Sequence, residues 1–114
     1  MNYWPRYVGD FKKKTAALSL LEKGVYTEML DYCYANEQPL PAEPSRIWLL
    51  VGARTPIEQR AVDVVLKMFF VKNGEGWHNE RVTEELEKWR DKSSKSKVAV
   101  NERWRRERER KGKA

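Results

Sequence analysis

An apolar helical pattern ends near Phe69 and is followed at once by two short extended stretches around Asn73-Gly74. Asn-Gly tolerates positive φ at both central positions of a tight turn, so this pair favours a β-hairpin. A second glycine, Gly76, indicates a loop one or two residues longer than the minimum. A helix that leads directly into a small hairpin is the layout of a winged-helix domain.

Two capping boxes mark the starts of the main helices. In each, a hydroxyl side chain and a glutamate three residues later satisfy each other's free backbone donors. The first helix is expected to run to about Asn36, and the second to Phe69 or Phe70. The two pairs are Ser19 with Glu22 and Thr55 with Glu58.

A short helix is predicted before the second capping box. It starts at Pro44 or Ser45, and Gly52 suits a left-handed C-terminal cap. The pair of helices over 45–52 and 56–69 has the dimensions of a helix-turn-helix, in which the second helix is the recognition element. That helix carries cations and acids in equal number, so we expect few base-edge contacts from it. A protein-binding face and a purely structural role fit it equally well.

The remaining helical expectations concern the first 36 residues. A short helix is predicted from about Asp10 to Ala16, with Asp10 as its cap. In the next helix, Gly24 is expected to permit a close approach between helices. The buried stripe of that helix is predicted from its spacing to comprise Leu21, Val25, Met29, Tyr32 and Cys33.

The positive charge is concentrated at one end of the chain. The whole sequence has a net charge of +6. Residues 92–114 carry ten Lys and Arg against three Glu, whereas residues 1–91 carry 13 against 14 acids. A polyanion would be attracted to this tail first. A solubilising tail without a partner is the alternative explanation.

The chain offers little for catalysis or metal binding. Cys33 is the only cysteine and His78 the only histidine, which excludes a Cys/His metal site. Gly74-Glu75-Gly76 lacks the spacing of a phosphate-binding loop. We therefore expect no enzyme activity, no cofactor and no metal. Without a signal-peptide core or an apolar run of membrane-spanning length, we expect a cytoplasmic location in a bacterial host cell and no membrane contact.

The candidate DNA-binding residues are lysines and arginines that could contact duplex phosphates. Phosphate contacts position a protein on DNA without reading its sequence. The last helical pattern, from Asn79 onward, has a weak heptad phase, so oligomerisation through Val100 and Trp104 is a competing use of the tail. The candidates are Arg54, Arg60, Lys67, Lys72 and Arg81 in the domain, and Lys92, Lys95, Lys97, Arg103, Arg105, Arg106 and Arg108 in the tail.

Taken in order, a set of short motifs over roughly residues 1–104 resembles the YdaU-like family of phage and prophage proteins. The order of the motifs is more specific than any one of them. The motifs are Met1-Asn2-Tyr3-Trp4-Pro5, Val8-Gly9-Asp10-Phe11, Thr15, Leu18-Ser19-Leu20-Leu21-Glu22-Lys23-Gly24-Val25-Tyr26, Leu30, Tyr34, Gln38-Pro39-Leu40-Pro41, Phe69-Phe70, Gly76-Trp77-His78-Asn79-Glu80-Arg81-Val82 and the run from Lys92 to Trp104.

The resemblance implies a phage-derived, winged-helix-like protein linked to the initiation of DNA replication, as an origin binder or a helicase-recruiting partner. It supplies no catalytic residues. Together with the residue patterns, it predicts a mainly α chain with a small β-hairpin. A winged-helix domain over 1–91 is followed by a basic helical or partly disordered tail over 92–114. The expected function is DNA binding as an accessory in replication initiation. The alternative is a protein-protein interaction module that docks a replisome or regulatory partner without binding DNA itself.

Overall fold

The computed structural model describes residues 3, 4 and 7–92. Contacts divide the chain into two units, Met1–Thr83 and Glu84–Ala114. The prediction of a mainly helical chain with a small hairpin is confirmed. The elements are α1 (Val8–Lys14), α2 (Leu20–Asn36), α3 (Pro44–Val51), α4 (Pro56–Phe69), β1 (Val71–Asn73), β2 (Gly76–His78) and α5, which covers 80–92.

Both predicted capping boxes are present. The Glu22 amide donates to Ser19 Oγ at 3.1 Å, and the Ser19 amide donates to Glu22 Oε1 at 2.8 Å. The same reciprocal pair joins Thr55 and Glu58 at 3.2 and 3.0 Å. These bonds satisfy amides that the first turn of a helix leaves unpaired, which explains why α2 and α4 begin where the sequence predicts.

Helix α1 begins earlier than predicted, and its cap is different. Val8 is its first residue, and Tyr7 stands at the N-cap without a side-chain hydrogen bond. The prediction that Asp10 caps this helix is therefore wrong. Asp10 lies inside the first turn, and its carboxylate accepts a hydrogen bond from Arg81 at 3.4 Å. The Asp10 carboxylate therefore binds Arg81, which is distant in sequence, instead of capping its own helix.

The core of the first unit lies between three helices. Helix α2 packs against α3 and α4, and α3 packs against α4. The side chains at the centre are fully buried, which is the main source of stability in a domain of this size. They include Met29, Leu40, Ile47, Val62 and Val65.

Two expectations for α2 are wrong. Leu21 is 39% exposed and Tyr32 is half-buried, so neither belongs to the buried stripe, which comprises Val25, Tyr26, Met29, Leu30, Cys33 and Tyr34. Gly24 does not permit a close helix approach, since a Cβ placed there meets nothing within 4 Å. The spacing of apolar residues does not show that the first turn of α2 lies outside the core, where Leu20 and Leu21 are exposed.

The hairpin turn also differs from the prediction. Asn73 pairs with Gly76 as the last rung of the β1–β2 ladder, so the loop is the two residues Gly74-Glu75. Neither Asn73 nor Gly74 has a positive φ; Gly76 does, at +148°. Asn73 Oδ1 instead accepts a hydrogen bond from the Glu75 amide at 3.0 Å. The asparagine side chain therefore shapes the turn from its edge rather than from its centre.

The segment between α2 and α3 contributes one residue to the hairpin. The Leu40 amide donates to the Trp77 carbonyl at 3.0 Å, and the Trp77 amide donates to the Leu40 carbonyl at 2.9 Å. This antiparallel bridge places β2 between β1 and Leu40. A Cβ at Gly76 would clash with the Leu40 carbonyl oxygen, so the close pairing requires glycine there.

Candidate nucleic-acid interface

Four of the predicted cations lie exposed on α4, on the turn before it and on the hairpin. Arg54 is in the turn before α4, Arg60 and Lys67 are on α4, and Lys72 is the central residue of β1. Within the described residues, no acidic side chain forms an ion pair with Arg60, Lys67 or Lys72. Their charges are therefore available to an external anion.

The fifth predicted cation of the domain is already engaged. Arg81 pairs with Asp10 at 3.4 Å, and its guanidinium carbon lies 4.3 Å from the centre of the Tyr7 ring. A cation over an aromatic face is held by the ring quadrupole. Arg81 thus fastens α1 to the start of α5 and is less accessible than the other four. No local pattern predicts this pairing, because Asp10 and Arg81 are 71 residues apart in the chain.

The two acidic residues of α4 are also tied to protein donors. Hydrogen bonds from Thr55, through its side chain and its backbone, hold the pKa of the Glu58 carboxyl below its ordinary value. Asp63 accepts a hydrogen bond from Trp48 Nε1 at 3.1 Å. Sequence analysis gave these acids and the cations of α4 equal weight. A hydrogen bond from a neutral donor leaves a carboxylate its charge, so α4 presents these two acids beside Arg60 and Lys67, which have no acidic partner among the described residues.

Beside those cations, α4 exposes apolar side chains. Ile57 is 68% exposed and Met68 is 51% exposed, with Val64 between them. A shallow groove of about 200 Å³ lies next to this row, between α4 and the start of α2, where Leu21 and Glu22 form its other wall. The exposed row was invisible to sequence analysis because the apolar residues of α4 wrap more than half of its circumference.

The aromatic residues mainly contact one another. Tyr26 stacks on Phe11 and Phe69, at centroid distances of 5.7 and 4.5 Å. Burial raises the pKa of Tyr26, although the hydrogen bond from Asn79 acts in the opposite direction. Trp77 is half-buried, and its Nε1 donates to the Ala42 carbonyl at 3.2 Å. These rings build the domain.

Asn79 makes more tertiary hydrogen bonds than its place at the start of the last helical pattern predicts. It is buried, and its Oδ1 accepts from the Val82 amide at 3.1 Å, which caps α5. Its Nδ2 donates to the Phe69 carbonyl at 3.0 Å and to the Tyr26 hydroxyl at 3.4 Å. One side chain therefore joins the end of α4, the middle of α2 and the start of α5. An asparagine before a helical run was the available signal.

Only one tail candidate falls within the described residues. Lys92 is exposed at the end of the described part of α5. The helical tail beyond it and the oligomerisation contact through Val100 and Trp104 lie outside the described residues. So do the other tail candidates, which are Lys95, Lys97, Arg103, Arg105, Arg106 and Arg108.

The titratable groups give no constellation for catalysis. Burial raises the pKa of the Cys33 thiol to about 12, so this cysteine is an unreactive core residue. His78 Nε2 is buried without a hydrogen-bond partner among the described residues. The described ranges hold no cluster of three His, Cys, Asp or Glu side chains that could bind a metal. Over the same ranges, no helix has the length and apolar character needed to cross a membrane.

Fold and surface together define a small helical domain with a hairpin and an exposed cationic helix face. The chain belongs to the family described as "Protein of unknown function (DUF1376)", which matches residues 2–87. It is 32% identical over 98 residues to "Uncharacterized protein YdaU" of Escherichia coli (strain K12). That match covers 85% of this chain and 33% of YdaU, so the chain spans about a third of that relative. No solved structure matches the chain. The predicted resemblance to the YdaU-like family is confirmed.

Proposed function

We propose that this chain is a phage- or prophage-derived winged-helix protein that binds duplex DNA as an accessory in replication initiation. One observation carries the proposal. In the first unit, two helices joined by a short turn, α3 and α4, lead directly into the β1–β2 hairpin, and α4 and β1 carry exposed cations that have no acidic partner among the described residues.

The order of elements supports the winged-helix assignment. A helix (α2) is followed by one strand-like residue (Leu40), two helices (α3 and α4) and a hairpin whose second strand pairs with that residue. In a winged helix, the last strand likewise lies between the first and the second strand. The hairpin is then the wing, and α4 is the recognition helix.

The charge distribution supports contact with the DNA backbone. Arg60 and Lys67 lie seven residues apart on α4, which is close to two helical turns, so they share one face. Lys72 extends the set onto the hairpin, and Arg54 adds a cation at the start of α4. Residues 92–114 add a sequence-based charge of +7. Such contacts supply affinity that falls steeply with salt.

The test is a salt series of DNA-binding measurements on the full chain with a mixed-sequence duplex. If about seven cations contact phosphates, the logarithm of the binding constant falls with the logarithm of salt at a slope near −6, from ~0.9 per contact. Substitution of Arg60 and Lys67 by glutamine should make that slope shallower by about 2. The matched control, Lys88→Gln, removes an exposed cation that is not a candidate and should keep the wild-type slope.

Absence of binding at low salt would overturn the proposal. An unchanged salt slope in the Arg60/Lys67 variant would show that α4 does not contact DNA phosphates. A shallow salt slope in the wild type would show that phosphate contacts do not dominate the affinity for DNA.

A second candidate function is a module that docks a replisome or regulatory protein. The exposed apolar row of α4 and the groove beside it, where Leu21 is 39% exposed, favour it. Surface patches of this kind often mark protein interfaces. A purified replisome protein that binds the wild-type chain, but not an Ile57→Asp variant, would support this function. Under that function, neither the wild-type chain nor the Ile57→Asp variant should bind DNA.

A further inference from the structure

We propose that α4 reads thymine methyl groups in the major groove through Ile57 and Val64, while Arg60 and Lys67 on the same helix contact phosphates. This inference rests on the proposed DNA-binding function. It concerns what the exposed apolar row of α4 contacts in that complex.

The row has a regular geometry. Ile57 and Val64 are seven residues apart, so they point to the same side of α4, about 10 Å apart along its axis. That spacing is close to the rise of three base pairs at 3.4 Å each. Both side chains are exposed, Val64 at 37%, while Ala61 and Val65 on the adjacent face are buried. The row therefore lies at the edge of the outward surface rather than in the core.

The row is accompanied by two cations of α4, Arg60 and Lys67, and the groove beside it is also lined by the acid Glu22. Arg60 shares the surface groove with Ile57 and Val64, and Lys67 lies two turns farther along the same helix. Neither cation has an acidic partner among the described side chains. The acids of α4, Glu58 and Asp63, accept hydrogen bonds from Thr55 and Trp48. A second copy of this face would oppose the same free cations, because a two-fold interface repeats one patch on both sides.

The chemistry of the DNA bases indicates which groups an apolar side chain could contact. The major groove is wide enough to admit one α-helix, and thymine is the base that presents a methyl group there. Aliphatic side chains on a helix held by flanking phosphate contacts can pack on such methyl groups. The expected ligand is therefore duplex DNA rich in A·T pairs, recognised from the major groove.

The test compares two duplex polymers, poly(dA-dT) and poly(dA-dU), by fluorescence anisotropy with the full chain. They present the same hydrogen-bonding groups and phosphates and differ in the C5 methyl group. Wild type should bind the thymine polymer about four-fold more tightly for each methyl group that a side chain buries. The Ile57→Ala/Val64→Ala double variant should bind both polymers equally.

The matched control is Leu49→Ala, which shortens an 83% exposed leucine on α3 and should keep the preference for thymine. Circular dichroism of each variant separates a lost contact from a lost fold. Since the altered side chains are exposed, the folded state should persist.

Three outcomes would overturn the inference in distinguishable ways. Equal affinity of the wild type for both polymers would show that α4 does not contact the thymine methyl groups, although the chain binds DNA. The apolar row would then be a candidate surface for a protein partner. A thymine preference that survives in the double variant assigns the readout to other side chains. Failure to bind either polymer at low salt overturns the proposed function itself.

Discussion

At the scale of single residues, Gly76 and Asn79 hold the hairpin and the helices in register. Gly76 allows β2 to approach the Leu40 carbonyl, and its φ of +148° is rarely adopted by other residues. Asn79 satisfies backbone groups of two helices and the hydroxyl of Tyr26. Both residues connect segments that are distant in sequence, so their substitution should disturb more than their immediate neighbours.

The Gly76→Ala substitution should destabilise the first unit by about 3 kcal/mol, because it adds both backbone strain and a clash with the Leu40 carbonyl. Urea unfolding followed by tryptophan fluorescence measures this difference. Gly74→Ala is the matched control: a Cβ there meets nothing within 4 Å, so stability should change by less than ~0.5 kcal/mol. Equal effects of the two substitutions would contradict the pairing of Leu40 with β2.

The Asn79→Ala substitution should lower the free energy of unfolding by about 2–3 kcal/mol. It removes the cap of α5 and leaves the Phe69 carbonyl without its buried donor. Thermal unfolding measures the loss. Thr83→Ala, which removes a partly buried bond to the Asn79 carbonyl on the same helix, is the control and should cost clearly less. A neutral Asn79→Ala variant would show that water replaces both bonds.

At the scale of the elements, helix starts are set locally, whereas helix faces are set by tertiary packing. The two capping boxes define where α2 and α4 begin. Which sides of those helices are buried depends on the partners, as the exposure of Leu21 and Ile57 shows.

The Gly24→Ala substitution should stabilise α2 by about 1 kcal/mol, because alanine has the higher helix propensity and its Cβ has free space here. A rise in the midpoint of urea unfolding with an unchanged slope is the expected measurement. Destabilisation would mean that Gly24 is in contact with another surface in solution.

The Glu58→Gln substitution should show a pH-dependent effect. Hydrogen bonds from Thr55 lower the pKa of Glu58 in the folded state relative to the ordinary value of 4.5. The ionised carboxylate therefore contributes stability above pH 4.5, and this contribution is lost as the pH falls through the lowered folded-state pKa. Wild type should unfold at a higher temperature than the variant at pH 7, and the gap should narrow at acidic pH. A gap independent of pH would contradict the charged cap.

At the scale of the molecule, part of the fold was predictable and part was not. Short-range signals sufficed for the helices and the hairpin, because a cap or a turn involves residues within four positions of each other. The bridge from Leu40 to Trp77 and the pairing of Arg81 with Asp10 were missed, since nothing local announces a partner 37 or 71 residues away. In the candidate interface, sequence analysis found the cations, but only packing shows which acids are engaged.

Labelling of Cys33 should report opening of the first unit as a whole. It is the single thiol of the chain and 1% exposed, and its pKa of about 12 keeps it protonated at pH 8. Reaction with a disulfide reagent should therefore require opening of the unit and should accelerate in Gly76→Ala, which makes the open state more populated. Immediate reaction in native buffer would contradict the buried position of the thiol.

The single-residue bridge at Leu40 links the hairpin to the segment between α2 and α3. Two backbone hydrogen bonds, of 2.9 and 3.0 Å, are the entire ladder between Leu40 and β2. The Leu40 amide proton is consequently a sensitive reporter. When a bound ligand restrains the hairpin tip, deuterium uptake at Leu40 should slow, although that residue sits between α2 and α3, away from the tip itself.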